Sequence, residues 1–188
     1  MWSLENTTIW RRFAAVVVAL GVSGLLTGCF QPLYGEYSPN GGPSVASALR
    51  GVEVLPIDAP NGTPTARLGV EIRNALLFDL TGGSGGTTPT HRLKINISPV
   101  RQQVIVDVTT ARPDVENYGI DAGYSLTDLR TNKVVVSGRT FARVSYDIPG
   151  QEQRFAAARG LRDAENRAAK VIADQIHSRL TSFFVTGS

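Results

Sequence analysis

The chain has 188 residues, 42% hydrophobic and 19% charged, with 19 glycines and 10 prolines. That length holds one ordinary domain with tails, and the composition is neither that of a disordered chain nor of a multi-span membrane protein. The net charge of +3 falls to +2 once residues 1–28 are set aside, so the basic pI of 9.3 does not mark a nucleic-acid-binding protein. Sixteen of the 19 basic residues are Arg, whose planar fork suits carboxylate and phosphate. One Cys and two His exclude an intrachain disulfide, a CxxC redox centre and a Cys- or His-rich metal site.

The N-terminus carries an address. Trp10-Arg11-Arg12 precedes Phe13–Leu26, fourteen residues without a charge, and Leu26-Thr27-Gly28-Cys29 follows. The apolar run is shorter than the roughly 20 residues that span a bilayer. It has the charged, apolar and small-residue regions of a secretory signal. The sole Cys directly after them resembles the bacterial lipobox, in which the thiol takes a lipid and the chain is cut before it. A signal peptide over 1–28 and a lipidated Cys29 are therefore expected, with the membrane held through acyl chains rather than spanned. Phe30 rather than Asp follows the Cys, which points to the outer membrane. Residues 29–48, rich in Pro, Gly, Ser and Tyr, read as a tether.

The body is expected over 49–184, with a short tail at 185–188. Gly51–Ile57 reads as a strand that Pro56 confines to an edge or an end. Thr65 is a candidate N-cap for a helix over 67–80, where Leu68, Ile72, Leu76 and Leu80 form one stripe before a glycine cluster. No Lys-Ser/Thr follows that cluster, so it reads as a helix end and not as a phosphate loop.

Three strands follow. Leu93, Ile95 and Ile97 alternate with polar residues, but beyond Pro99 the apolar positions become Val104, Val106 and Val108. This odd-to-even switch predicts a bulge between Pro99 and Gln103. Tyr118, Ile120, Ala122, Tyr124 and Leu126 share the next inward face. After a turn at 130–133, Val134, Val136, Ala142, Val144, Tyr146 and Ile148 are the expected inward set of the last strand. A long helix over 152–183 packs Leu161, Ala164, Ala168, Ile172, Ile176, Leu180 and Phe183, with Asp163 four residues before Arg167 for an ion pair. The charged arc opposite, with Arg159, Arg162 and Lys170, reads as a solvated face. The expectation is α+β: a four-stranded mixed sheet in the order β-α-β-β-β-α, with two helices on one face.

No catalytic constellation emerges. His91 and His177 stand outside any motif, there is no GxSxG or HExxH, and the strand aspartates Asp107, Asp121 and Asp147 point to solvent. An enzyme is not expected, and neither is a cofactor.

Cys29-Phe-Gln-Pro-Leu-Tyr-Gly35, Arg73-Asn-Ala-Leu-Leu-Phe78, Tyr124-Ser-Leu-Thr-Asp-Leu129 and Tyr146-Asp-Ile148 occur in an order and spacing that resemble the lipopolysaccharide-assembly lipoprotein family LptE. Arg167-Ala-Ala-Lys170 and Arg179-Leu180 in the last helix extend the likeness to Phe184. The resemblance implies a lipoprotein that plugs the β-barrel LptD and helps deliver lipopolysaccharide to the outer leaflet. It further implies lipopolysaccharide contacts through basic residues near loops at one end; here those positions are Arg rather than Lys. A right-handed crossover makes the first two strands parallel. Chain parity then gathers three connections, both helix N-termini and Arg67, Arg112 and Arg154 at one end, where partial positive charge accumulates. A lipopolysaccharide head group and simple surface decoration both account for those arginines. An auxiliary lipoprotein of a phospholipid transporter and a structural envelope protein without a ligand are the alternative functions.

Overall fold

The computed structural model describes residues 44–83, 87–107, 112–148 and 154–186; for 103–107, 112–114 and 154 the description is confined to the backbone. The expected signal peptide, Cys29 and most of the tether lie outside the described residues. The elements are α1 (Val45–Arg50), β1 (Val52–Val54), α2 (Pro64–Thr81), β2 (His91–Asp107), β3 (Arg112–Asp128), β4 (Lys133–Asp147) and α3 (Arg154–Thr186). The sheet order is β1-β2-β3-β4. β1 runs parallel to β2, and the other two pairs are antiparallel. The architecture is the expected α+β sheet with both long helices on one face, plus the short α1.

Alternating strand faces and two helical stripes meet in one core. Leu68, Ile72, Leu76 and Leu80 of α2 are buried, as are Ala164, Ala168, Ile172, Ile176 and Leu180 of α3. They cover Leu93, Ile95, Tyr118, Ile120, Ala122, Tyr124, Leu126 and Ala142 of the sheet. Alanines on α3 let the helix axis approach the strands closely. The Asp163–Arg167 pair forms at 2.7 Å on the exposed side. Arg73 reaches back from α2 to donate to the Val54 carbonyl at 3.0 Å, which fastens the helix to the end of the edge strand.

Four local expectations need correction. Val45–Arg50, whose first residues were expected in the tether, is a helix: Ser44 caps it and its Leu49 enters the core. The N-cap of α2 is Thr63, not Thr65: its side chain accepts from the Ala66 N–H, and Pro64 occupies the first helical position, where no N–H is needed. Gly82, at φ 64°, ends that helix in a left-handed conformation. The β2 irregularity falls between Gln103 and Val106, beyond the expected Pro99–Gln103, since Pro99 itself stays in register opposite Ile120. On β4, Val134 is 60% exposed rather than inward. A register shift leaves Val135 as the extra residue, so Val134 lies opposite Thr127 on the outward side.

Candidate functional site: an arginine-lined cleft

The C-terminal ends of β1, β2 and β4 lie at one end of the sheet, as parallel and antiparallel pairing requires. Both long helices begin there. Arg67 lies in the first turn of α2, Arg112 is the first residue of β3 opposite Asp107, and Arg154 is the first residue of α3. The side chains of Arg112 and Arg154 lie outside the described residues.

Arg67 is committed within the fold. Its guanidinium ion-pairs with Glu165 of α3 and donates to Asn166 Oδ1 at 2.9 Å. The Glu165 carboxylate is nearly enclosed, with 6% of its side chain exposed against 25% for Arg67. A buried carboxylate needs such a partner, because desolvation without one costs several kcal/mol, order of magnitude. Arg67 therefore ties the two helices together while presenting one side to water.

That exposed side faces a cleft of about 590 Å³ between the start of α2, β2 and the first turns of α3. Arg101 and Arg162 line it as well, with Val70 and Leu161 as apolar wall. Arg101 continues the inward side of β2 beyond the part the helices cover. Its guanidinium carbon lies 5.9 Å from the centroid of the Tyr118 ring, its cross-strand partner, within reach of a cation–π contact. Burial, then the charge of Glu165, pushes the Tyr118 phenol up to about 12. Tyr146 donates to Glu116 on the neighbouring strand, and burial followed by that hydrogen bond also pushes it up to about 12. Both phenols are neutral at physiological pH, so the polar layer under the cleft carries fixed charge only on its arginines and carboxylates.

Three guanidinium groups thus face one carboxylate, an excess of two positive charges in a partly apolar recess. Forked donors of this kind match phosphate oxygens two at a time. Of the three arginines expected from sequence, the structure places Arg67 in the cleft and the backbones of Arg112 and Arg154 at the same end. Arg101, Arg162 and Glu165 were not anticipated. Arg101 followed Pro99 in a segment of uncertain facing, and Arg162 lay within the charged arc of α3. Glu165 next to buried Ala164 was the one available signal for an inward carboxylate.

A four-stranded sheet in this order with both long helices on one face is an α+β fold that recurs among bacterial lipoproteins of known structure. A lipoprotein from Caulobacter crescentus CB15 is similar in fold, with TM-score 0.60 and 21% identity over 77% of this chain and 97% of that one. A minor lipoprotein of Acinetobacter baumannii (TM-score 0.52, 14% identity, 71% of this chain and 92% of that one) shares the fold. So does the rare lipoprotein B of Shewanella oneidensis (0.51, 14%, 71% and 98%). No curated protein sequence matches significantly. The family model LptE, lipopolysaccharide-assembly, matches residues 49–180. The chain belongs to the LptE family of lipopolysaccharide-assembly lipoproteins.

Proposed function

We propose that this lipoprotein is held by acyl chains on Cys29 at the periplasmic face of the outer membrane, plugs the LptD β-barrel, and binds lipopolysaccharide on its way to the outer leaflet. It acts by binding, without catalysis or cofactor. The family match over residues 49–180 carries this reading. The cationic end supports the lipid part of it.

Lipopolysaccharide is a phosphorylated glycolipid. Its phosphates find at this end the helix N-termini, the cleft arginines Arg67, Arg101 and Arg162, and the adjoining Arg112 and Arg154. Val70 and Leu161 offer apolar surface beside the charges. Glu165 holds Arg67 in place and limits its reach, so Arg112 and Arg154 carry the larger share of the phosphate contact, with Arg67 as a positioning group.

Charge reversal tests this. Arg112→Glu with Arg154→Glu weakens lipopolysaccharide binding, and wild-type affinity falls as salt rises, because screening acts on exposed charge. Assembly with the barrel persists, since a broad interface does not rest on two rim charges. If the double variant binds lipopolysaccharide normally and loses the barrel, these arginines belong to the protein interface.

A further inference from the structure

The face of the sheet opposite the helices holds a second recess. Strand register puts Asn96, Gly123 and Arg139 on one outward rung across β2, β3 and β4, and Ser98, Asp121 and Phe141 on the next. Strands lie roughly 4.8 Å apart, so Asn96 and Arg139 stand about 9.6 Å from each other across Gly123. A Cβ built on Gly123 meets nothing within 4 Å, which makes this glycine the floor of an open notch. The groove over it measures about 520 Å³.

Its walls combine two kinds of chemistry. Phe141 is 64% exposed, so its ring offers apolar surface to the groove. Arg143 lies over that ring at 5.5 Å and ion-pairs with Asp121 at 2.7 Å, which holds the ring's surroundings and neutralises the one carboxylate of the groove. Arg139, and Lys94 one rung away, have no ion-pair partner among the described residues. With Asp121 paired to Arg143, the groove keeps one cation without an ion-pair partner among the described residues, Arg139, beside an aromatic ring and an amide around a notch about one sugar ring wide. An aromatic face stacks on the C–H face of a pyranose, while planar amide and guanidinium groups bond to adjacent hydroxyls. The unpaired Arg139 guanidinium calls for a carboxylate or phosphate on that ring. An apolar docking segment would instead desolvate Asn96, Ser98 and Arg139 without partners.

We propose that this groove seats one ring of an acidic saccharide, on the sheet face opposite the arginine cleft. The proposal rests on the lipopolysaccharide reading above, in that the sugar belongs to the same glycolipid.

The test titrates the full chain, in detergent micelles, with the lipid-free acidic oligosaccharide split from lipopolysaccharide by mild acid, and in parallel with whole lipopolysaccharide. Calorimetry and saturation-transfer NMR read the binding. Wild type binds both. Gly123→Val, which fills the notch, and Phe141→Ala, which removes the platform, each weaken the oligosaccharide by roughly tenfold or more, with unchanged melting temperature. Arg139→Gln lowers the salt dependence of that binding. Wild type that binds whole lipopolysaccharide but not the oligosaccharide overturns the groove and leaves the function standing. Wild type that binds neither overturns both, and binding of the oligosaccharide alone supports the groove against the function. Unchanged oligosaccharide affinity in Gly123→Val and Phe141→Ala, with loss of the barrel partner, assigns this face to a protein and overturns the proposal.

Discussion

Arg67 and Glu165, 98 positions apart, form the ion pair that joins the first turn of α2 to α3 beneath the cationic cleft. Removing either partner leaves the other short of compensation, and the two losses differ. Arg67→Ala strands a nearly enclosed carboxylate and costs about 3 kcal/mol, at the low end for buried pairs because Arg67 is itself 25% exposed. Replacing both by apolar residues of similar volume recovers most of that loss. Urea unfolding of the two single variants and the double variant measures the coupling; additive losses would mean that the pair does not link the helices.

The packing of α3 separates two faces of one helix. Ile172 is fully buried in the core, and Ile172→Ala costs about 2–5 kcal/mol. Asp163, exposed like its partner Arg167, costs well under about 1 kcal/mol on conversion to Ala. Equal shifts in denaturant midpoint would place the helix in the wrong rotation.

Two glycines on adjoining strands respond oppositely to one methyl group. A Cβ on Gly138 would lie 2.6 Å from the hydroxyl oxygen of Tyr124, its cross-strand partner, whose ring is buried over it. Gly138→Ala displaces that ring and costs about 1–3 kcal/mol. Gly123 faces open space, so Gly123→Ala is neutral or gains a few tenths of a kcal/mol, order of magnitude, from strand propensity. Thermal melts of the two variants check the contrast.

Tyr118 and Tyr146 set an alkaline limit to stability. Both are pushed up to about 12 in the folded chain, from an ordinary value of 10.0. The folded state therefore binds more protons than the unfolded state between those values. Their contribution is fully present below pH 10 and is lost as pH rises through about 12. Melting temperature falls over that window, and Tyr118→Phe flattens the fall. Ultraviolet titration that finds all five tyrosines ionising together near 10 would contradict this.

Much of the body was legible because its periodicities are strong. Leu68, Ile72, Leu76 and Leu80 announce one helix, and Tyr118 through Leu126 announce one strand face, since each pattern has a single way to bury itself. The misreadings lie where one residue changes the outcome. Thr63 and Thr65 are equally good caps by residue type, and only Pro64 between them distinguishes the true one. Val134 reads as inward until the extra Val135 turns it outward. Helix α1 has one buried residue, Leu49, and so no period to detect. The cleft was half visible: parity gathers Arg67, Arg112 and Arg154 at one end, but Arg101 and Arg162 converge with Arg67 only once α2 and α3 pack on each other and on the sheet.

The proposed role of this LptE-family member is lipopolysaccharide assembly with a barrel partner. Affinity capture of the tagged full chain from detergent-extracted outer membranes, with mass spectrometry of what comes with it, tests that most directly. The expected result is an LptD-type β-barrel protein in stoichiometric amount together with lipopolysaccharide. Recovery of the chain alone, or with the components of a phospholipid transporter and no barrel protein, would contradict it.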